Sequence, residues 1–392
     1  MKILWLKGDF LHPTTRGGKI RTLEMLKRLH RRHEVHFVAL DDGASPESVP
    51  RAAEYSTRAY PVPHRVPPRG TPAFYLQSVG NLFSDLPLSL ARYKSADYER
   101  TVEDVMSRES PEVLVCDFLT PAVNLRTLDR WVLFQHNVET IIWRRHAEQA
   151  GGGLQRRYFQ NQAERMQRVE ERVCRSVRKV VAVSEADART MESMFGLQNI
   201  PSVPTGVDVE GFTPAARREG GADLVFVGAM DWMPNIDGVN YFLDEVLPLI
   251  RKKRPNCSIA IVGREPSAEL RKRADAKLIV TGTVDDVRPY LWKGLVSIVP
   301  LRIGGGTRLK IYEAMAARIP VVSTSIGAEG LAVGPEHIRL ADTPENFADA
   351  CLDLLDHPEQ RERMSNAAWD LVSSCFSWER VTGQFERIIG AA

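Results

Sequence analysis

A run of three glycines followed by two basic residues is the part of this sequence whose spacing best suits chemistry. The run GGGTRLK occupies residues 304 to 310, between an apolar segment of strand length and a segment with the apolar spacing of a helix. A helix capped by Thr307 would carry Arg308 and Lys310 in its first turn, where cations oppose the helix dipole at about 0.3–1 kcal/mol each. That arrangement is favourable when an anion lies against it. We therefore expect Gly305, Gly306, Thr307, Arg308 and Lys310 to bind a diphosphate.

Glu313 follows Lys310 by three residues, which places both side chains on one face of the predicted helix. A carboxylate there can accept hydrogen bonds from the two hydroxyls of a ribose next to the diphosphate. The alternative is a solvated Lys310–Glu313 pair on the helix surface. The neighbouring glycines favour the ribose.

A second glycine-containing loop follows the first predicted strand. Gly17 and Gly18 stand at the entrance of a predicted helix, where their backbone N–H groups can approach an anion. From this loop alone, a plain turn is an equally good interpretation. The dinucleotide fingerprint GxGxxG does not follow the strand, and GxxxxGK before Ser or Thr occurs nowhere in the chain. A dehydrogenase and a P-loop enzyme are therefore both disfavoured.

The elements that must position these loops form a regular alternation. Apolar segments of strand length alternate with amphipathic segments of helix length along the chain, which is the pattern of parallel βαβ units. A Pro-rich stretch from Pro61 to Pro72 is predicted as an extended loop. Strands are predicted at residues 2–7, 34–40, 112–116, 131–135 and 179–183, and at LVFVG, CSIAIVG, KLIVTG, LVSIVP and IPVVST. We expect an α/β fold with two doubly wound sheets and ligands at the carboxyl ends of their strands.

Length and charge limit the classes of function. The 392 residues suit two domains, and residues 205–224, rich in Gly, Pro and charge, break the periodicity between them. The chain has 52 basic and 50 acidic residues and a formal net charge of +2. The first 206 residues hold 30 basic and 24 acidic side chains, so the first half is the basic half. We expect no nucleic-acid partner, because the whole molecule carries no strong positive field.

Cysteine usage and apolar runs favour a cytoplasmic protein. The five cysteines are scattered without a CxxC pair, and the longest apolar runs fall well below the roughly 18 residues of a membrane span. Residues 143–179 are rich in Arg with interspersed aromatics, a pattern that can contact anionic lipid at the inner face of the membrane or an anionic acceptor. A solvated helix face with Arg–Glu pairs is the alternative, and Glu164, Glu170 and Glu171 favour it.

An ordered set of motifs resembles the retaining GT-B glycosyltransferases of family 4. The resemblance covers nearly the whole chain and implies two Rossmann-like domains facing across a cleft. Residues 1–206 would form the acceptor-side domain, 207–375 the donor-binding domain, and 376–392 a helix crossing back to the first domain. The motifs are the loop with Gly17 and Gly18, QHNVE (135–139), VVAVSEAD (180–187), VPTGVD (203–208), FVGAMDWMPNIDGV (226–239) and GGGTRLKIYEAMAARIPVVST (304–324).

In the first domain, the resemblance assigns roles by position. Gly17 and Gly18 would face the donor diphosphate and the acceptor, and His136 would meet the transferred sugar with Asn137 as a second polar contact. His136 also follows a buried-looking strand, where ligands bind in such folds. A lone histidine is more often structural, and that alternative stays open at this point.

In the second domain, the resemblance makes Glu313 the ribose-binding carboxylate. Val284 and Asp285, in a loop after a predicted strand, would lie on the nucleobase side. Gly228 and Met230 belong to the loop after the first strand of this domain, on the donor side.

Two features depart from the family pattern. Many members have a glutamate eight positions before the ribose-binding one, but here that position is Gly305, which leaves the choice of sugar open. Many members also place an Arg and a Lys after the first strand of this domain, where Met230 and Asn235 stand. We infer that the two cations of the GGGTRLK run supply the missing charge.

The resemblance implies transfer of a sugar, with retention of configuration, from a nucleoside diphosphate sugar to a hydroxyl or another nucleophile. A UDP-sugar is favoured and a GDP-sugar is the alternative donor; the acceptor can be a glycan, a lipid-linked molecule or a small molecule. Cations and N–H dipoles can stabilise the leaving diphosphate, and no DxD motif stands at a strand end, so we expect neither a catalytic metal nor a cofactor. A nucleotide-sugar epimerase and a catalytically degenerate nucleotide-sugar binding protein are the competing interpretations.

Overall fold

The computed structural model describes residues 1–14, 17–68, 70–214, 220–303 and 308–390. Contacts divide the chain into unit 1, residues 1–204 with 381–392, and unit 2, residues 205–380. No helix of these ranges is both long enough and apolar enough to cross a lipid bilayer.

Unit 1 is built on a parallel sheet. Its central strands are buried along their length, as expected when helices cover both faces of a parallel sheet. In the described ranges the sheet has six strands in the order β3-β2-β1-β4-β5-β6. They are β1 (Lys2–Lys7), β2 (Glu34–Asp41), β3 (Arg58–Pro63), β4 (Val113–Asp117), β5 (Val132–Phe134) and β6 (Lys179–Val181).

Most helices of unit 1 bury one face, whereas the helix Pro72–Gly80 has no buried residue. In α7, the longest of those described here, Met166, Val169 and Val173 lie on one face and pack into the hydrophobic core over the sheet. Two 3₁₀ turns occupy Pro50–Glu54 and Asn81–Phe83. The helices are α1 (Gly17–His30), α2 (Pro72–Gly80), α3 (Leu88–Ala91), α4 (Ala96–Glu109), α5 (Leu119–Ala122), α6 (Glu139–Gln149), α7 (Gly153–Ser176) and α8 (Glu185–Phe195).

Unit 2 repeats the design, with its core on the sheet around Phe226, Phe242 and Phe347. Over the described residues its sheet has the order β12-β11-β10-β7-β8-β9. The strands are β7 (Leu224–Val227), β8 (Ile259–Val262), β9 (Leu278–Val280), β10 (Val296–Val299), β11 (Val321–Ser323) and β12 (Arg339–Leu340). The helices are α9 (Val209–Phe212), α10 (Met233–Tyr241), α11 (Leu247–Lys253), α12 (Ala268–Lys272), α13 (Arg288–Lys293), α14 (Leu309–Ala316), α15 (Pro344–Asp356) and α16 (Pro358–Cys375), with a π-helical turn at Phe242–Val246. The last helix, α17 (Trp378–Gly390), belongs to unit 1 from Val381 onward.

The predicted α/β class with two parallel sheets is confirmed, but two edge strands were not predicted. The Pro-rich stretch begins inside β3, because Pro61 and Pro63 lie on an edge strand that pairs only with β2. Along a strand, alternate N–H groups point to the same side, so prolines two residues apart can face the open edge. The other edge strand, β12, has only two residues and no apolar pattern.

Candidate active site

The carboxyl ends of three neighbouring strands in unit 1 bring a buried carboxylate and four donors together. Asp117 ends β4 and accepts hydrogen bonds from Lys7 Nζ at 2.8 Å, Trp5 Nε1 at 2.9 Å and Thr22 Oγ1 at 2.7 Å. Its Oδ1 also lies 2.7 Å from His136 Nε2. We call these five residues the Asp117 cluster; all are buried.

The protonation states of Asp117 and His136 depend on two opposing effects, burial and the charges of neighbouring groups. Burial alone would raise the pKa of Asp117, but Lys7 and His136 outweigh it and hold that pKa well below its usual value. Burial lowers the pKa of His136 to about 4, although the Asp117 charge opposes this shift. At neutral pH the cluster therefore contains an ionised Asp117 beside a neutral imidazole.

Neutral His136 presents an acceptor nitrogen on the side of the glycine loop. An ionised carboxylate can only accept, so the ring proton belongs on Nε2, next to Asp117, and the lone pair on Nδ1. Nδ1 lies toward Gly18, where a Cβ atom would be only 3.4 Å from it. The structure thus brings Gly18 next to His136, a neighbourhood that the sequence did not predict, and glycine leaves the face of Nδ1 uncovered. Such a nitrogen can accept a hydrogen bond from a sugar hydroxyl.

The backbone beside this cluster is strained. Phe118, directly after Asp117, has a φ of 83°, a value that bulky residues rarely adopt. Its ring packs edge-on against His136, with centroids 5.6 Å apart, and Phe134 packs on the same imidazole at 5.0 Å. Strain of this kind is concentrated at functional sites.

Glu170 of α7 holds the loop that carries His136. Its Oε1 accepts from Gln135 Nε2 at 2.6 Å and from the Glu139 N–H at 2.9 Å, and its Oε2 accepts from the N–H and the hydroxyl of Thr140 at 2.8 and 2.6 Å. The carboxylate thereby caps the amino end of α6, which has no side-chain cap of its own.

The other polar groups of this loop lie next to Glu170. Burial and the nearby Glu170 raise the pKa of Glu139 to about 7. The Asn137 side chain donates to the Glu139 carboxylate, so Asn137 lies beside His136 in sequence but makes its contact with a different group. Its predicted role in contacting the sugar stays a prediction.

Sequence reasoning missed Lys7, Asp117 and Glu170. The first two carried a usable signal, because each is a charged residue at the last position of a strand whose interior is apolar, and ligand sites of parallel sheets lie at these strand ends. Glu170 carried none. Its position in an Arg-rich helix suggested a solvated pair, whereas it is buried.

In unit 2, Lys310 extends from α14 toward α10 and the loop after β7. Its Nζ donates to Asn235 Oδ1 at 2.7 Å and lies 4.5 Å from the centroid of the Phe226 ring. A Cβ atom on Gly228 would be 2.8 Å from the same Nζ, so a side chain at this position would displace the ammonium. Phe226, Gly228, Asn235, Lys310 and Glu313 form what we call the Lys310 cluster.

The pKa values of Lys310 and Glu313, the two ionisable groups of the Lys310 cluster, are both shifted toward 7. Burial, with Arg308 adding to it, lowers the pKa of Lys310 to about 7. Burial raises the pKa of Glu313 to about 7, and Lys310 only partly opposes this shift. Because Lys310 directs its ammonium to Asn235 and Phe226, the structure does not support a solvated Lys310–Glu313 pair. Perturbed groups of this kind gather at functional sites.

Arg308 was predicted in the first turn of the helix, but it lies just before the helix. Helix α14 begins at Leu309, and Arg308 precedes it in the left-handed conformation, with a φ of 48°. Its buried guanidinium lies 3.7 Å from Glu329. The predicted diphosphate ligands Gly305, Gly306 and Thr307 lie outside the described residues.

The remaining predicted donor-side residues differ in exposure. Met230 is buried in the core of unit 2, so only its backbone can contact a ligand. Val284 packs partly buried against the second core cluster of this unit, and Asp285 beside it is exposed.

One group of side chains in the described ranges has the spacing of metal ligands. Glu34, His36 and Glu109 bring one ligand atom each within 4.8 Å of one another. Lys2 Nζ lies 3.5 Å from both carboxylates and offsets part of their charge. These residues lie at the amino end of the sheet of unit 1, opposite the Asp117 cluster, so they do not serve it.

Two family models match the chain. The model described as Glycosyltransferase Family 4 matches residues 15–210, and the model described as Glycosyl transferases group 1 matches residues 221–357. Together they span both units.

Known proteins are similar in sequence or fold. The phosphatidyl-myo-inositol mannosyltransferase of Mycobacterium tuberculosis is 29% identical over 227 residues, which are 53% of this chain and 58% of that protein. The chain thus spans little more than half the length of this curated relative. Anabaena Alr3699/HepE in complex with UDP and glucose superposes over 100% of both chains with a TM-score of 0.67 at 13% identity, and S. aureus TarM over 99% of both with 0.68 at 12%. At this identity the structures show the fold, which is the GT-B fold.

A family model that covers half of the chain, a second one that continues through unit 2, and the GT-B architecture agree with one another. The chain belongs to glycosyltransferase family 4, among the group 1 glycosyl transferases.

Proposed function

We propose that this protein transfers a sugar from a nucleoside diphosphate sugar to an acceptor nucleophile, with retention of configuration and without a metal. The observation that carries the proposal is the Lys310 cluster, in which a cation, a half-buried carboxylate and a glycine in close contact with the cation lie together in unit 2. In an enzyme that departs from the family's Arg and Lys after β7, Lys310 supplies a positive charge beside Asn235 of α10, within the segment where many members carry those cations.

The leaving group is the nucleoside diphosphate. As the bond between the sugar and the diphosphate breaks, negative charge grows on the phosphate oxygens, and an ammonium already in place stabilises it at little reorganisation cost. Lys310 then takes the charged form, because an adjacent dianion raises the pKa that burial had lowered. Glu313 accepts hydrogen bonds from the ribose.

In unit 1, the Asp117 cluster handles the transferred sugar. Lys7, Trp5 and Thr22 fix the Asp117 carboxylate, Asp117 fixes the His136 ring, and Nδ1 accepts a hydrogen bond from a sugar hydroxyl. The acceptor oxygen attacks the anomeric carbon on the face from which the diphosphate departs, so the configuration is retained, as the family resemblance implies, and no protein nucleophile is required.

UDP is the favoured nucleotide, since Anabaena Alr3699/HepE is described in complex with UDP and glucose. The acceptor can carry a lipid, as the name of the mycobacterial relative says of that protein.

The test is a panel of UDP- and GDP-sugars, read by thermal shift and by product mass in the presence of EDTA. We expect one donor to stabilise the protein and to lose its sugar to water or an added acceptor, with the anomeric configuration of the product, seen by NMR, retained. Lys310→Met should abolish most of the thermal shift. Conversion of the donor to an isomer without acceptor would establish an epimerase, and binding without any turnover would establish a degenerate binding protein; either result overturns the proposal.

A further inference from the structure

Helix α2 of unit 1 is turned with its apolar side toward the outside. Tyr75, Leu76, Val79 and Phe83 are spaced by three, four and seven residues and so share one helical face, which continues into the 3₁₀ turn after α2. These four side chains are 57–92% exposed. The polar residues Gln77 and Ser78 lie on the more buried side. A surface helix normally has the reverse arrangement.

This orientation is fixed by contacts on the inner side. The guanidinium of Arg92 lies over the Phe74 ring, 5.2 Å from its centroid. At the end of the segment, Arg165 Nη1 donates to the Asn81 carbonyl at 2.6 Å and Asn81 Nδ2 donates to the Leu86 carbonyl at 3.0 Å. The apolar face therefore cannot turn inward without breaking these bonds.

A basic groove begins where the apolar face ends. Ser84 and Leu86, directly after Phe83, line a groove of about 830 Å³ between α5, α7 and the loop before α3. Its floor is apolar, with residues such as Leu125, Val169 and Val173. Its basic lining residues are Lys94, Arg126, Arg168 and Arg172, and its acidic one is Asp85.

The positive charge of this groove is largely uncompensated within the described part of the chain. Arg126 pairs with Glu99 and Glu103, but Lys94, Arg168 and Arg172 have no carboxylate of the described residues within ion-pair distance. The sequence around the apolar face has the same sign, because residues 56–94 contain five Arg or Lys residues and one acidic residue, Asp85.

We propose that the apolar face of Tyr75, Leu76, Val79 and Phe83, together with the basic groove, binds the surface of an anionic phospholipid bilayer; we call it the lipid-facing surface. The apolar side chains enter the boundary between headgroups and acyl chains, and the cations contact the phosphates. A second copy of this chain fits less well, because a two-fold contact would place the same cations opposite each other. The proposal goes beyond sugar transfer and does not depend on it.

Sedimentation of the full chain with vesicles tests the surface without any substrate. We expect binding to vesicles of phosphatidylcholine mixed with phosphatidylglycerol, weaker binding to phosphatidylcholine alone, and weakening by salt. Arg168→Gln with Arg172→Gln should reduce partitioning about tenfold or more, since each cation near an anionic surface contributes about fivefold. Leu76→Ser with Phe83→Ser should reduce it by a similar factor even at high salt.

Matched controls lie in unit 2. Ile279→Ser removes an apolar side chain that is 48% exposed, and Lys252→Gln with Lys272→Gln removes two exposed cations; neither should change partitioning. All substituted side chains of the apolar face are exposed, so the melting temperature should stay unchanged. The proposal would be overturned by equal losses of vesicle binding in the test and control variants, or by equal binding to both vesicle types. It would also be overturned if the protein bound no vesicles and instead formed a dimer that dissociates in the Leu76→Ser with Phe83→Ser variant. Failed donor turnover with intact vesicle binding would count against the proposed function alone.

Discussion

His136 Nε2 lies 2.7 Å from Asp117 Oδ1. Asp117 ends β4, and His136 follows the end of β5, the neighbouring strand in the same sheet. Asp117 is itself held by Lys7, Trp5 and Thr22, and its close approach favours the imidazole tautomer with the proton on Nε2. Its Nδ1 faces the glycine at the start of α1. Such a ring can stabilise the fold, contact the substrate or do both. The transfer rate and the stability of a His136 variant distinguish these roles.

Replacing His136 by Ala should lower the rate of sugar transfer by about 10²-fold or more while nucleotide affinity stays nearly intact. The ring also packs between Phe118 and Phe134, so the free energy of unfolding should fall by about 1–3 kcal/mol. Single-turnover rate and melting temperature are measured on the same sample, with exposed His146→Ala as the matched control. A normal rate per folded molecule would show that His136 is structural only.

The stability of the protein should fall between pH 7 and pH 5 because of His136. Its pKa is about 4 in the folded protein and 6.5 in the unfolded chain, so the unfolded chain binds more protons between these values and stability is lost as the pH falls. The loss attributable to this group is about 2 kcal/mol over that interval. Urea unfolding at both pH values measures it. His136→Gln cannot titrate and should show a correspondingly smaller difference; an unchanged difference would contradict the assignment.

Replacing Lys310 by Met should weaken nucleoside diphosphate binding about tenfold or more, because a charge-assisted bond to phosphate is worth roughly 1.5–3 kcal/mol. Burial lowers the pKa of Lys310 to about 7 in the free protein, and a bound diphosphate raises it. Near pH 8 the wild-type protein should therefore take up a proton on binding, and its affinity should fall as the pH rises above 7.

Calorimetry in two buffers of different ionisation enthalpy measures that proton. The wild-type protein should take up as much as one proton more than Lys310→Met. Exposed Lys293→Met in the same unit is the control and should behave like the wild type. Equal affinity and equal uptake in all three proteins would remove Lys310 from the diphosphate site.

Glu313→Gln keeps the size of the side chain and removes its charge. If Glu313 accepts hydrogen bonds from the ribose diol, this change should weaken binding of the ribonucleotide more than binding of its 2′,3′-dideoxy analogue. Titration calorimetry with both ligands gives the comparison. Losses of equal size for both analogues would mean that Glu313 acts within the protein only.

The central strands and the start of α1 were predictable because they follow from local patterns. Val113–Asp117 and Leu224–Val227 are largely apolar runs of strand length, and Gly17 and Gly18 mark the beginning of α1. Edge strand β3 was not predictable in this way, since Pro61 and Pro63 break the strand pattern and are tolerated only by their place at the edge.

The contacts that complete each cluster were not predictable, because they join residues far apart in sequence. Lys7 meets Asp117 across 110 residues and Lys310 meets Asn235 across 75. Sequence spacing gives the face of a helix, but strand order decides which strand ends are neighbours. The pairing of β1 with β4, which places Lys7 beside Asp117, is such a choice.

Replacing Glu170 by Gln should lower the transfer rate, because Glu170 positions the loop that carries His136 and does not itself contact the substrate. An amide keeps one acceptor oxygen but turns a donor group toward either Gln135 and the Glu139 N–H or the two donors of Thr140, so two hydrogen bonds are lost and α6 loses the charge at its amino end. The loop carrying His136 then loses its anchor. We expect a loss of about 1–3 kcal/mol in the free energy of unfolding and a lower kcat with nucleotide affinity unchanged.

Glu171→Gln, which removes the neighbouring carboxylate that pairs with Arg175 on the helix surface, should alter neither quantity. Gln135→Ala leaves the helix cap intact and cuts only the bond beside His136, so it should reduce kcat with a smaller loss of stability; a variant that loses stability while keeping its kcat per folded molecule would show that Glu170 supports the fold alone.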